Sequence, residues 1–479
     1  MATEPFAKRF AERVLAWRWW VILGTLIWVA AASGGIALLD FSADYRIFFD
    51  EDNPQLQALE RLENTYGKNE NVVFLIVPDD GDATSETALS VAVWLTEAAW
   101  QTPYSRRVDS LANFQHTTAD EDELLVEDLI DPLALSDAQA RSQIRAIALS
   151  DPRIAGSVLG LSGDVSVVSV TIELPEGDQV ATVAEVAEFA RSLAAQTEER
   201  FEGIDVRVLG TIIINQTFVE ASMESQMIFL PASLLLMAVI LGILTRGLAG
   251  VAATGVVMVF SILASMGLGA WVGMPFSPPI APTPTIVLMI VVANCVHILV
   301  TLQQRLRVGD SRHDAIVETL RLNLHLVFFA SLTTALGFLS MNFSEVPPYR
   351  QLGNFVAFGI GASFVLSVTF LPALLSFLPI RSGSDRRLGG PALNAMANFA
   401  LRYKKTLLFG WLAVAVAMVF AIPRNELNDV LVHFFDDSME FRRDTDFMDE
   451  RLSGNTSLDY SLEAADVNGV LDPLFLADV

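Results

Sequence analysis

The chain is nearly devoid of cysteine and short of positive charge. Cys295 is the only cysteine among 479 residues, so neither a disulfide framework nor a cysteine-based metal site can form within one chain. Lys and Arg number 31 against 56 Asp and Glu, the net charge is −25, and no basic patch interrupts this acidic balance. Because such a chain repels nucleic acid, we expect no nucleic-acid partner.

Short catalytic motifs are also missing from the sequence. It contains no G-x-S-x-G, H-E-x-x-H, P-loop or kinase-type pattern. We therefore expect no enzyme, no cofactor, no metal site and no ATP-driven transport by this chain itself. A membrane-anchored enzyme ranks third among the functions considered, behind the two described below.

Long apolar runs dominate what is present. Apolar residues make up 52% of the chain, and its mean hydropathy is +0.44. A helix of about 20 apolar residues crosses a bilayer. Seven runs are long enough and predict seven spans, at 19–39, 227–245, 249–273, 285–303, 325–343, 353–378 and 406–422.

The distribution of Lys and Arg predicts the orientation of these spans. The connections between spans two and three, four and five, and six and seven all carry basic residues. The alternate short loops carry none in 273–284 and only Arg350 in 344–351. Since basic loops stay in the cytoplasm, we expect a cytoplasmic N-terminus and an external segment 40–226.

Residues 40–226 combine β-type and α-type patterns. An acidic stretch, Asp120–Asp131, is interpreted as a solvated connector, because its carboxylates are not spaced like an EF-hand loop. A strand–helix–strand pattern occurs on each side of it, at 71–78, 85–101 and 108–116, and again at 164–174, 182–201 and 205–209. The fold class is therefore an α-helical polytopic membrane protein with an external α+β domain of two βαβ (ferredoxin-like) subdomains.

Span four carries a stripe of polar residues. Within Thr285–Arg305, the side chains of Asn294, His297, Thr301 and Gln304 follow helical spacing and share one face. Polar groups in a membrane helix are costly unless they face a bundle interior, so they indicate a functional site. The alternative is that they only hydrogen-bond to neighbouring helices.

A repeat begins near the C-terminus. The segment FAERVLAWRWWVILG from Phe10 is similar to FALRYKKTLLFGW from Phe399, and RIFFDE from Arg46 is similar to VHFFDD from Val432. We interpret this as the start of a second copy, and the chain as the N-terminal part of a longer duplicated protein. The alternative is an intact seven-span protein with a short outer tail.

These patterns divide the chain into six parts. They are a cytoplasmic lead-in and first span (1–39), an external α/β domain (40–226), a five-helix membrane bundle (227–380), a cytoplasmic linker (381–405), a seventh span (406–422) and the start of a second, incomplete external domain (423–479).

This organisation resembles the resistance–nodulation–division (RND) superfamily of transporters over essentially the whole chain. The likeness is greatest to the lipid-exporter-like branch, which includes MMPL proteins, hopanoid exporters and proteins with a sterol-sensing domain. Membrane spans two to six resemble the helix arrangement of the sterol-sensing domain. The motifs that carry it are LGTIIINQ at Leu209–Gln216, ANCVHILVTLQQRLRVG at Ala293–Gly309 and SLTTALGFLSM at Ser331–Met341.

The resemblance implies export of a sterol, a hopanoid or another lipid from a bacterial inner membrane, driven by the proton gradient. It also implies a periplasmic domain that passes the substrate, contacts with membrane lipids and with periplasmic carrier or adaptor proteins, and a homo-oligomer. The alternative function is a lipid-sensing or scaffold protein that binds lipid without pumping.

Proton coupling needs a group that changes charge within the membrane. Many relatives have an acidic residue at about the position of Asn294, which cannot titrate, and this difference favours the lipid-sensing alternative. Transport is favoured by the large external domain. Histidine as a residue type can change charge near neutral pH, so His297 is the candidate proton relay with Asn294 as its neighbour, unless it is only a packing histidine. The supporting polar face consists of Thr301, Gln304, Thr333 and Ser340.

Overall fold

A computed structural model provides the structure of the chain. It describes residues 4–42, 44–68, 70–120, 123–175, 179–245, 247–380, 390–425, 430–454, 460–462, 469–471, 473 and 475. Of the expected linker 381–405, residues 381–389 lie outside the described residues.

Fifteen α-helices are formed by the described residues. They are α1 Glu4–Ala16, α2 Arg18–Ser33, α3 Pro54–Tyr66, α4 Glu86–Ala99, α5 Ala138–Ser150, α6 Gln179–Arg200, α7 Thr211–Thr245, α8 Leu248–Trp271, α9 Thr283–Val308, α10 Arg312–Leu339, α11 Pro347–Val368, α12 Phe370–Leu375, α13 Gly390–Arg402, α14 Lys404–Ala421 and α15 Glu440–Arg451. Six strands accompany them, β1 Glu70–Pro78, β2 Ser105–Ser110, β3 Gln115–Asp120, β4 Glu123–Asp128, β5 Ser166–Ile172 and β6 Ile204–Leu209.

The seven predicted spans are confirmed as helices long and apolar enough to cross a membrane. The second starts at Thr211, well before the apolar run, because the amphipathic lead-in is continuous with the span. The spans are Arg18–Leu38, Thr211–Thr245, Leu248–Trp271, Pro278–Val308, Arg312–Phe343, Pro347–Leu375 and Lys404–Arg424.

The chain divides into two compact units. The first, here called the membrane unit, consists of Met1–Asp40, Gln226–Phe343 and Tyr349–Phe434. The second, here called the sheet unit, consists of Phe41–Ser225, Ser344–Pro348 and Phe435–Val479.

The sheet unit is built on one four-stranded antiparallel sheet with the strand order β2-β5-β1-β6. Each predicted strand–helix–strand pattern supplies two of its strands, so the two halves interleave as in a ferredoxin-like sheet. The expected division into two subdomains is not confirmed, because the described residues form a single sheet of this kind.

Strand β1 is apolar on both of its faces. Val72, Phe74 and Ile76 pack with α4 and α6 in the main core of the unit. Leu75, on the other face of β1, packs with Val167 and with Phe447 of α15. Side chains alternate across a strand, so a continuous apolar run is what a sheet covered on both faces requires.

The expected connector at Asp120–Asp131 is partly a β-hairpin. Strand β4 pairs antiparallel with β3, with Thr117 opposite Val126. The run Leu124–Val126 supplies β-type residues that the abundance of carboxylates obscured in the sequence. The interpretation of this stretch as a solvated connector therefore missed strand β4, although residues 124–128 are exposed.

The repeat has structural support, with one correction in register. Helix α1 ends at a break at Trp17 before α2, and α13 ends at a matching break at Tyr403 before α14, with nearly identical backbone angles. These breaks align Phe10 with Met396 and not with Phe399. The same offset aligns α3 with α15, because Pro54 and Glu440 both begin the helix after a Phe-Phe-Asp segment.

Candidate functional site

Helix α9 carries the predicted polar stripe and is well delimited. Pro284 lies in its first turn, where a missing backbone N–H costs nothing. The Thr283 hydroxyl donates to the carbonyl of Ile280 over 2.7 Å. The helix ends at Gly309, whose φ of +99° places it in the left-handed region that glycine readily adopts.

One face of α9 lies in the core of the membrane unit. Val287, Val291, Asn294 and Ile298 follow helical spacing and are all buried. The apolar members of this face pack with residues of α8 and α10 in one cluster. The position of Asn294 within it is therefore set by the same packing that defines the bundle.

Asn294 connects three helices. Its Nδ2 lies 3.1 Å from the Ser363 Oγ of α11 and 3.3 Å from the Ser331 Oγ of α10. The exposed fraction of the asparagine is 4%, so these hydroxyls replace water as its partners. Together Asn294, Ser331 and Ser363 form the buried amide–hydroxyl cluster.

Further polar contacts continue from this cluster along α11. The Cys295 Sγ lies 3.8 Å from the Ser367 Oγ, and both residues are fully buried. The Ser265 hydroxyl of α8 donates to the carbonyl of Phe355 over 2.6 Å. These neutral contacts join α8, α9 and α11 without placing a charge in the bundle.

The rest of the α9 stripe turns away from the cluster. At 3.6 residues per turn, Thr301 lies almost directly below Asn294, whereas His297 and Gln304 are rotated by roughly 60–80°. Accordingly Thr301 is half-buried, and His297 and Gln304 are exposed on the membrane unit. One predicted face is thus divided between the bundle interior and its surface.

The predicted residues of span five do not join Asn294. The Thr333 hydroxyl donates to the carbonyls of Phe329 and Ala330, and the Ser340 hydroxyl donates to that of Gly337. Both side chains are exposed and are satisfied within their own helix.

Sequence reasoning missed the actual partners of Asn294. Ser331 is the first residue of the SLTTALGFLSM motif, but Thr333 and Ser340 were selected there. Ser363 and Ser367 are four residues apart, which places them on one face of α11. That spacing of small polar residues in an apolar helix is a signal in the sequence from which Ser363 could have been identified.

Comparison with known families agrees with this architecture. A sequence model of the MMPL family matches residues 49–419, most of the chain. The chain belongs to the MMPL family. Among proteins of curated function, none matches it. MMPL proteins are membrane transporters of the RND type and not enzymes, so the multi-pass helical unit described above is that of a transporter.

The buried cluster of this MMPL-family protein contains only neutral groups. Amides and hydroxyls exchange hydrogen-bond partners without a change of charge, so the cluster can hold or release α10 and α11 but cannot store a proton. Titratable imidazoles lie elsewhere on these helices. His297 is on the surface of α9, and the buried Nε2 of His325 in α10 has no hydrogen-bond partner among the described residues.

Proposed function

We propose that this MMPL-family protein exports hydrophobic, lipid-like molecules such as sterols or hopanoids from a bacterial inner membrane, driven by the proton gradient. One observation carries the proposal. The central helix α9 bears both a buried three-helix link at Asn294 and, one turn later, a titratable imidazole at His297. Protonation of that imidazole is a local change of charge next to contacts that hold the bundle together.

The orientation follows from the distribution of basic residues. The N-terminus is cytoplasmic and the sheet unit is periplasmic, where the substrate passes to carrier or adaptor proteins. To test it, Cys295→Ser and Leu133→Cys are combined, since Leu133 is 92% exposed. A membrane-impermeant thiol reagent is expected to label right-side-out cells. Labelling only from the cytoplasmic side contradicts the orientation.

A homo-oligomer is supported by the polar side chains that the membrane unit exposes. His297 and Gln304 of α9, with Thr333 and Ser340 of α10, are exposed on helices that cross the membrane. A protonated imidazole in contact with lipid is costly by several kcal/mol, so a second copy or a water-filled cavity covers this surface. Gly337, whose Cβ position has no atom within 4 Å, permits a close helix approach there.

The alternative function is a lipid sensor or scaffold that does not pump. The observation that favours it is the lack of any carboxylate in the buried amide–hydroxyl cluster, together with the pairing of the Asn294 Nδ2 with the hydroxyls of Ser331 and Ser363. A sensor needs only two packings of the helices that differ in lipid affinity.

Transport in proteoliposomes separates these functions. The full chain is reconstituted and the movement of a fluorescently labelled sterol is followed with and without a proton gradient. We expect gradient-dependent movement for the wild type and a loss of about tenfold for His297→Gln, which retains a polar side chain.

Three outcomes would change the proposal. Gradient-dependent transport that survives His297→Gln removes His297 from the relay. An increase for Asn294→Asp assigns coupling to the position of Asn294, where the resemblance to RND transporters implies a carboxylate. Movement that never depends on the gradient favours the sensor or scaffold.

A further inference from the structure

A groove of about 860 Å³ lies in the sheet unit along the edge strand β6. Its walls come from α6, from the first turns of α7 and from the start of α15. Its volume falls within the range of typical ligand sites. It is here called the β6 groove.

Two of the arginines in the β6 groove are already neutralised. Arg191 makes a bidentate contact with Glu220, with distances of 2.7 and 3.0 Å. Arg207 lies 2.8 Å from Asp205 and packs over the ring of Phe447 at 4.1 Å. Their donors are therefore committed to the protein and are poorly available to an anionic ligand.

The remaining charged groups are mainly acidic. Glu198, Glu440 and Asp444 face the groove against one further cation, Arg443. The Asp444 side chain has an exposed fraction of 14% and is 3.3 Å from Arg207, which it shares with Asp205. The groove thus has an excess of negative charge around a partly desolvated carboxylate.

Apolar side chains also line the groove. Val208, Ile213 and Phe441 line it beside two alanines of α6. Phe441 also packs in both cores of the sheet, so this wall is rigid. A lining that combines apolar side chains with an excess of acidic ones suits a molecule with a cationic head and a hydrocarbon chain.

The free edge of β6 is protected against an added strand. The backbone N–H of Val206, which points away from β1, donates to the Glu198 carboxylate over 2.9 Å. A carboxylate at this position blocks main-chain pairing with a peptide. The occupant is therefore recognised by its charge and its apolar surface.

We propose that the β6 groove binds the ammonium head and first methylenes of a cationic amphiphile, with Asp444 as the carboxylate that pairs with the head. This inference rests on the proposed export of lipid-like molecules and adds an amine-bearing class to the sterols and hopanoids named there. Neither the buried amide–hydroxyl cluster nor His297 takes part in it.

Proton binding competes with the ligand at Asp444. Burial raises the pKa of this carboxyl to about 6, while Arg207 and Arg443 oppose the rise and Glu440 and Asp205 add to it. The carboxylate is largely ionised at pH 7.5 and largely neutral at pH 5, so acid favours release of the head. The other charged groups that face the groove are Arg191, Glu198 and Glu220.

Calorimetric titration of the full chain in dodecyl maltoside tests the proposal. Octylammonium is the probe, with octan-1-ol and octyl sulfate as the neutral and anionic counterparts. We expect saturable binding of octylammonium at pH 7.5, binding about tenfold weaker at pH 5, and weaker binding of both counterparts.

Two variants locate the site. Asp444→Asn is expected to weaken octylammonium binding about tenfold and to abolish its pH dependence, since the titrating carboxyl is gone. Asp446→Asn removes the same charge from the same helix outside the groove, where Asp446 pairs with Arg442, and is expected to leave affinity within about twofold. Thermal unfolding of each variant verifies folding.

Several results would overturn the inference. These are equal binding of octan-1-ol or octyl sulfate, unchanged affinity in Asp444→Asn, or an equal loss in Asp446→Asn. Tighter binding of a lysine-rich peptide than of octylammonium assigns the groove to a protein partner instead. Sterol export that persists in Asp444→Asn while octylammonium binding fails leaves the proposed function intact.

Discussion

The membrane unit and the sheet unit differ in the polar contacts that each contains within itself. In the sheet unit, ion pairs are frequent and partly buried, as for Arg46, which lies 2.7 Å from Asp44 and 2.5 Å from Glu63. In the described spans of the membrane unit, buried contacts such as that of Asn294 with Ser363 join neutral groups, and the ion pair of Arg321 with Glu318 lies within the first ten residues of α10.

The difference reflects the solvent of each unit. A partly buried ion pair in an aqueous domain retains some hydration, whereas charge in the hydrocarbon region costs several kcal/mol. Neutral groups such as Asn294 and Ser363 join helices at a smaller cost and give correspondingly weaker links. Close packing at small residues must then supply most of the stability of the membrane unit.

The largest effect is expected in the core of the sheet unit. Phe74 of β1 is fully buried, so Phe74→Ala removes its apolar contacts and leaves a cavity. The free energy of unfolding should fall by about 3–5 kcal/mol. Thermal unfolding, combined with limited proteolysis of the sheet unit, measures it. Leu133→Ala, at an exposed site, serves as the control and should change little.

Close packing in the membrane unit is tested at Gly267. A Cβ at this position of α8 would overlap the backbone carbonyl of Ala32 in α2. Gly267→Ala should therefore destabilise the unit by about 1–3 kcal/mol. Gly255→Ala on the same helix meets no atom within 4 Å and is the matched control. Equal melting temperatures for the two variants would contradict this account of helix packing.

The partly buried carboxyl of Asp444 in the sheet unit predicts that the stability of the folded protein depends on pH. Burial raises the pKa of Asp444 to about 6, above its usual 3.8, so the folded state favours the neutral carboxyl. Its stabilisation is present below the unfolded pKa and is lost as the pH rises through about 6. Asp444→Asn should be more stable than the wild type at pH 7.5 by about 1 kcal/mol, after allowance for solvent screening.

The control for this prediction is the difference between the two proteins across pH. Other carboxyls titrate equally in the wild type and in Asp444→Asn, so their effects cancel. The stability advantage of the variant should shrink between pH 7.5 and pH 4. An advantage that is constant with pH would show that Asp444 does not titrate in this range.

The smallest effect is expected for the buried amide–hydroxyl cluster. Asn294→Leu removes the link, but Ser331 and Ser363 can turn their hydroxyls to carbonyls of their own helices. The cost should be about 0.6 kcal/mol and independent of pH. Gln304→Leu, on the exposed side of α9, is the comparison. A large, pH-dependent loss of stability in Asn294→Leu would contradict the difference proposed between the two units.

Local patterns in the sequence were sufficient for the elements themselves. Apolar runs predicted all seven spans, because a helix in a bilayer must satisfy its backbone internally over about 20 residues. The alternating stretch 164–174 predicted β5, and the amphipathic stretch 182–201 predicted most of α6. The repeated Phe-Phe-Asp segments likewise predicted that a short helix follows each of them, as α3 and α15 do.

Long-range contacts decided what those elements form. Sequence patterns do not specify which strands pair, so two strand–helix–strand patterns were expected as two subdomains, whereas their strands interleave in one sheet. The same limit applies to α15, whose packing beside Leu75 and Val167 depends on contacts across most of the chain.

The candidate site depends both on local sequence spacing and on tertiary packing. By itself the sequence determined that Asn294, His297, Thr301 and Gln304 lie along one side of α9, because helical spacing is a local property. Only the tertiary structure decided that Asn294 is buried and His297 exposed, since that depends on where α10 and α11 pack around the helix. The partners that these helices supply, Ser331 of α10 and Ser363 of α11, are neutral. The Asn294 amide is therefore buried without bringing a charge into the bundle.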